Sequence, residues 1–162
     1  MVLFCQSRSI VLVMQIRLAT TAIAFSLLAC LSCSSSSSSN PASSATQTIG
    51  PEGGVINVDG ATVTFPKGAV SAPLGVTIST TDTVPAGYVA LSKVFKCEPS
   101  GTNFSQPVTM QMPFTDDGKG GTMFWSSGSD PSFKDLGGQA QNGAMTATVM
   151  HFSSGFVGRA SK

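Results

Sequence analysis

The sequence predicts an all-β protein: an antiparallel β-sandwich of about 8–10 short strands, preceded by a signal peptide and a disordered Ser-rich linker. Three observations carry this. From Gly53 onward apolar and polar residues alternate in short runs, with Gly, Pro, Asn or Asp between them. No segment there sustains a helical period, and Gly, Thr and Ser crowd out good helix formers. A serine-rich stretch ends near Gln47, so residues 47–162 read as one domain.

The strands follow in order. "GGVINVDGATVTF" (53–65) reads as two strands about Asp59-Gly60, a dipeptide suited to the φ > 0 geometry of a tight hairpin. "FPKGAV" (65–70) is a turn built on Pro66 and Gly68. "VTIST" (76–80) is a strand, and "GYVALSKVFKCEPSG" (87–101) holds another. "QPVTMQMPF" (106–114) puts Val108, Met110 and Met112 on one face, Thr109 and Gln111 on the other. "TMFWSS" (122–127), "SFKDLG" (132–137) and "AMTATVMHF" (144–152) continue the series. The expected core is Val63, Phe65, Ile78, Phe95, Val108, Met110, Phe124 or Trp125, Val149 and Phe156.

Ahead of the domain, "MQIRLATTAIAFSLLAC" (14–30) has a basic residue, Arg17, then an apolar run from Ala22 to Ala29. The run is too short to span a bilayer, so residues 1–29 read as a secretory signal peptide, with Met14 a plausible true start. Its end, Leu27-Leu28-Ala29-Cys30, resembles the bacterial lipoprotein box. That resemblance implies diacylglyceryl transfer to the Cys30 thiol, cleavage before it, and acylation (such as by palmitate) of the new N-terminus. Each buried CH₂ contributes about 0.8 kcal/mol, so several chains hold firmly where one would not. Cys33 is a weaker acceptor, because Cys30 would then occupy the aliphatic position. By analogy with Gram-negative lipoproteins, Leu31 after the cysteine favours the outer membrane. Residues 30–46 thus form a lipid-bearing, serine-rich tether that cannot bury enough apolar surface to offset its ordering entropy.

Charge excludes one partner class. With Arg8 and Arg17 in the signal, the remainder carries seven Lys/Arg against eight Asp/Glu, a net charge of −1. Nucleic acid, which needs a basic patch, is not an expected partner. The expected partners are the membrane, through lipid on Cys30, and another envelope or extracellular protein.

A second resemblance rests on three stretches: "IGPEGGVINVDGATVTFPKGAV", "EPSGTNFSQPVTMQMPF" and "VMHFSS". Their most specific parts are Gly53-Gly54, Phe65-Pro66-Lys67-Gly68-Ala69, the Phe104…Gln106-Pro107-Val108 strand entry and His151-Phe152-Ser153. Together they resemble the ZU-five type domain of zonula occludens proteins, ankyrins, uncoordinated-type netrin receptors and the death-domain scaffold of the PIDDosome. The resemblance implies a β-sandwich serving as a scaffolding or protein-binding module, and no activity by itself. Some relatives cut themselves between Phe and Ser of this motif. Ser153 Oγ would attack the Phe152 carbonyl, and His151 would orient the peptide or move a proton. The plainer expectation is a final strand, with Ala147, Val149 and His151 on one face and Met150 and Phe152 on the other. Ser153-Ser154-Gly155 would then form a turn. Cleavage would release only Ser153–Lys162, so the strand reading is preferred and no enzymatic activity is expected.

The remaining candidates are weaker. "DDGKGG" (116–121), with Asp82 and Asp130 elsewhere, lacks the alternating ligands of a calcium loop and reads as a solvated hairpin. Cys97 reads as a buried thiol, with a disulfide to Cys33 as the alternative. One His and few cysteines make zinc unfavourable, and no metal or cofactor is expected. Asn103-Phe104-Ser105 matches a glycosylation sequon without bacterial meaning. An envelope polysaccharide-binding module is a further alternative. It predicts an exposed aromatic strip, for which Trp125 and Tyr88 offer little.

Overall fold

The computed structural model describes residues 43–127 and 132–162. The signal peptide, Met14, Cys30, Cys33, Asp130 and the tether up to residue 42 lie outside the described residues. Among the described residues there is no helix and there are twelve strands: β1 (Ser44–Ile49), β2 (Gly54–Val58), β3 (Ala61–Phe65), β4 (Leu74–Thr81), β5 (Tyr88–Ala90), β6 (Val94–Glu98), β7 (Asn103–Pro113), β8 (Thr122–Ser126), β9 (Phe133–Gly137), β10 (Gln139–Gln141), β11 (Ala144–His151) and β12 (Ser154–Ala160).

They form two antiparallel sheets. One has seven strands in the order β1-β4-β6-β12-β8-β9, with β5 pairing β12 beyond β6. The other has the order β10-β11-β7-β3-β2. The chain closes both open sides of the sandwich by crossing directly from one sheet to the other. On one side, Gly50–Gly53 joins β1 to β2. Gly53 has φ 83°, and a Cβ there would lie 2.3 Å from the Phe65 carbonyl oxygen, so only glycine fits. On the other side, Gly137 and Gly138 turn β9 into β10. The Asp59-Gly60 hairpin forms as the sequence predicts, with both residues at positive φ. Asn142-Gly143 makes a second turn of the same kind between β10 and β11.

The expected all-β sandwich is therefore present, with more strands than anticipated. β1 begins inside the stretch read as tether, since Ser44–Thr46 pair with β4. The 87–101 run divides into β5 and β6, because the Leu91 and Ser92 N–H groups both donate to the one Val157 carbonyl of β12, which interrupts the regular ladder there. Two of the extra strands, β5 and β10, are three residues long, too short for alternation to show.

The core lies between the sheets. Ile56, Val63, Phe65, Val108, Met110 and Met112 face Val76, Ile78, Phe95, Cys97 and Trp125. Each such large side chain contributes roughly 1.5–3 kcal/mol by leaving water. Every residue expected in the core is buried. Phe124 and Phe156, however, belong to a second cluster with Val94, packed against Tyr88, Ala90 and Phe133. They lie on the outward face of the seven-stranded sheet, since their neighbours Trp125 and Val157 point inward. The choice of Phe124 or Trp125 resolves as both, one on each face.

Candidate functional site

His151, Phe152 and Ser153 form the corner where the chain leaves one sheet for the other. β11 ends at His151 in the five-stranded sheet, and β12 starts at Ser154 in the seven-stranded sheet. The register shifts between Val149 and His151. That bulge overturns the expected alternation: Met150 is 49% exposed while Phe152 is fully buried. The expected Ser153-Ser154-Gly155 turn does not form either. Ser154 and Gly155 are already paired with Lys96 and Phe95. The ten residues after Phe152 are thus no loose end. They contain β12, which lies between β6 and β8.

The corner is held on every side. Phe152 N–H donates to Thr102 O at 2.8 Å, and Gly101 N–H donates to Phe152 O at 2.8 Å. Cys97 N–H donates to Ser153 O at 2.9 Å. The Phe152 ring meets Phe65 and Phe104 edge-on, with centroids 5.7 Å and 4.8 Å away. His151 Nε2–H donates to the Ser126 carbonyl at 3.2 Å, and Trp125 Nε1–H donates to the His151 carbonyl at 3.2 Å. The buried hydroxyls of Ser126 and Ser153 are hydrogen-bonded to each other, and Ser154 N–H donates to Ser126 Oγ at 3.3 Å.

Chemically, the corner offers part of a reaction centre. Gly101 N–H already sits on the carbonyl where an oxyanion would develop. The hydrogen bond of the His151 ring goes to the Ser126 carbonyl, and that of the Ser153 hydroxyl to Ser126 Oγ. The Phe152–Ser153 peptide is trans, and neither residue has positive φ. Ser126, Trp125 and Gly101 carry no signal in the sequence, because only the crossover brings the end of β8 and the residues after β6 to the motif.

The other candidates lie elsewhere. Cys97 is fully buried in the core, and burial, with the Glu98 charge adding to it, pushes its thiol up to about 12. Asp117 of the "DDGKGG" loop accepts both Arg159 guanidinium nitrogens, at 3.0 and 2.6 Å, which holds its carboxyl below the usual carboxylate range. Asp116 accepts Gly118 N–H, closing the turn. Asp82 lies with Asp59, Lys93 and Phe114 around an open cleft of about 440 Å³. There Lys93 Nζ lies 2.8 Å from Asp59, and this contact lowers the Asp59 pKa and raises that of Lys93. The chain enters at the same end, where Thr80 N–H donates to Ser43 O. Asn103 is exposed at the start of β7. Trp125 is buried and Tyr88 half-buried.

A protein-family model described as the ZU5 domain matches residues 45–125, half of the chain. The match spans β1 to β8 and stops before the corner, so β9 to β12 lie beyond it. No curated protein matches the chain.

Proposed function

The chain belongs to the ZU5 domain family, and from that premise we propose a bacterial envelope lipoprotein that displays a non-catalytic protein-binding or scaffolding module. Lipid on Cys30 is the anchor, the Ser-rich stretch the tether, and the β-sandwich the part that meets a protein partner. The outer membrane is the compartment this reading favours. The observation that carries the non-catalytic reading is the use of the motif's polar groups. The His151 ring and the Ser153 hydroxyl hold the sheet crossover through Ser126. Two measurements test it. Mass spectrometry of the mature chain gives a diacylated, N-acylated Cys30 and an unbroken Phe152–Ser153 bond. Crosslinking in intact cells gives a protein adduct that Cys30→Ala, released from the membrane, fails to form. An unmodified Cys30 removes the anchor, and a chain ending at Phe152 removes the non-catalytic reading.

The second reading, self-cleavage at Phe152–Ser153, is favoured by the Gly101 N–H placed 2.8 Å from the carbonyl that would be attacked. Here the position of β12 matters: after a cut it would stay lodged between its neighbours. Intact mass under denaturing conditions, with Ser153→Ala beside the wild type, separates the two readings.

A further inference from the structure

We propose that β1 is a dimerisation edge, which pairs antiparallel with β1 of a second copy of this chain. The strands that border the sheets are unequally guarded. β9 carries Lys134 and Asp135 and shifts register against β8, and β5 and β10 are only three residues long. β1 and β2, six and five residues long, carry no charge and no proline, and their ladders to β4 and β3 run without a bulge. Both border the side closed by Gly50–Gly53. A regular, uncharged edge is the kind to which another strand adds.

The register shows which groups this edge offers. Thr80 N–H donates to Ser43 O at 2.9 Å, so Ser43 and Thr80 form a hydrogen-bonded pair. Such pairs alternate along an antiparallel ladder, so Ser44, Thr46 and Thr48 turn their N–H and C=O groups away from β4, to the open edge. Donors and acceptors repeating at the spacing of a strand fit an extended polypeptide. A two-fold axis at Thr46 opposes Thr46 to Thr46 of the other copy and Ser44 to its Thr48, with about six main-chain hydrogen bonds. The side chains agree. Thr46 Oγ1 already bonds Thr77 Oγ1 at 2.9 Å across β1 and β4, and the pairing extends this row by another Thr–Thr contact. No like charges meet on the paired strands.

β2 selects a second copy over a lone peptide. The axis is perpendicular to the joined sheet, so the five-stranded sheets of both copies lie on one side of it and their β2 edges face each other. One contact then covers both unguarded edges, whereas a peptide added to β1 leaves β2 open.

The proposal rests on the protein-binding reading, whose partner it names. The test is oxidative crosslinking in cells that make the full chain with Cys33→Ser, which removes a thiol of the tether. Residues opposed in a hydrogen-bonded pair have Cα atoms about 5.5 Å apart, within the roughly 4.4–6.8 Å that a disulfide spans. Thr46→Cys is expected to give a covalent dimer well above the Cys33→Ser parent, and Lys134→Cys, on β9, none. Ser44→Cys and Thr48→Cys each give none alone and give it together in one chain, since each opposes the other across the axis. Adding Thr46→Pro to that double variant lowers the yield roughly tenfold or more, because it removes an edge N–H that β4 does not use. Its Trp125 emission stays that of the parent, since the core is untouched. No dimer from Thr46→Cys, an equal yield from Lys134→Cys, or a yield that Thr46→Pro leaves unchanged overturns the proposal. An adduct of Thr46→Cys with a different protein, without a dimer, also overturns it and keeps the protein-binding reading.

Discussion

The Ser126 and Ser153 hydroxyls meet in a buried hydrogen bond at the point where the chain changes sheets. Ser126 closes β8, and Ser153 leads into β12, which pairs with β8. A bond between two small hydroxyls thus fixes the angle at which the last strand enters.

The two serines are unequal, because Ser126 Oγ also accepts Ser154 N–H. Ser153→Ala leaves one buried hydroxyl without its partner and costs about 1–2 kcal/mol. Ser126→Ala costs more, about 2–3 kcal/mol, since the part-buried Ser154 N–H loses its acceptor as well. The double variant costs less than the sum, because the hydroxyl pair vanishes together. Urea unfolding of all four proteins checks the order; equal single costs with simple additivity would show that the shared bond contributes nothing.

Gly155 is predicted to tolerate no side chain. A Cβ there would stand 2.1 Å from the Trp125 ring and 2.7 Å from the Phe124 carbonyl. Gly155→Ala is expected to destabilise by about 1–3 kcal/mol or more and to displace the indole. Trp125 is the only tryptophan, so its emission reports on this position alone. A red shift with a lowered urea midpoint is the expected result, and an unchanged spectrum contradicts it.

Cys97 predicts loss of stability at alkaline pH. Its thiol is pushed up to about 12 in the fold, so the unfolded chain ionises first. Stability is intact below the ordinary thiol range near about 8.5 and falls as pH rises from there, by up to about 1.4 kcal/mol per unit. Cys97→Ala lacks this slope, whatever it loses through the small cavity. The same thiol should react with an aromatic disulfide reagent only after denaturation; rapid native labelling would contradict its burial.

The Asp117–Arg159 pair predicts the opposite dependence at acid pH. Arg159 holds the Asp117 carboxyl below its ordinary value. Its contribution is therefore present above the unfolded carboxylate range and lost as pH falls through the folded value. Wild type should melt above Asp117→Asn at neutral pH, with the gap closing below about pH 4. The pair is partly exposed, so high salt narrows the gap too. A gap constant from neutral to acid pH would locate the effect outside the ion pair.

Much was legible in the chain itself. Period-two alternation fixed the sandwich, the inward set of β7 and the two faces of β3, because a strand's side chains must alternate across a sheet. Asp59-Gly60 announced its hairpin, since few other dipeptides accept two positive φ angles. The resemblance that the sequence suggested agrees with the family match over residues 45–125. What the tertiary structure alone decided lies in long-range pairing. The bulge before His151 reversed the side on which Phe152 points, and a one-residue shift leaves no trace in a periodic pattern. Ser154–Ala160, within the last ten residues, became a strand between β6 and β8 because segments distant in sequence pair with it. Ser126 stands beside Ser153 across 27 positions, and Trp125 beside His151 across 26, which local composition cannot encode. The sequence alone determined which residues seek burial and where the chain turns. The pairing of strands determined which of them meet, because that depends on free energies summed over the whole sandwich.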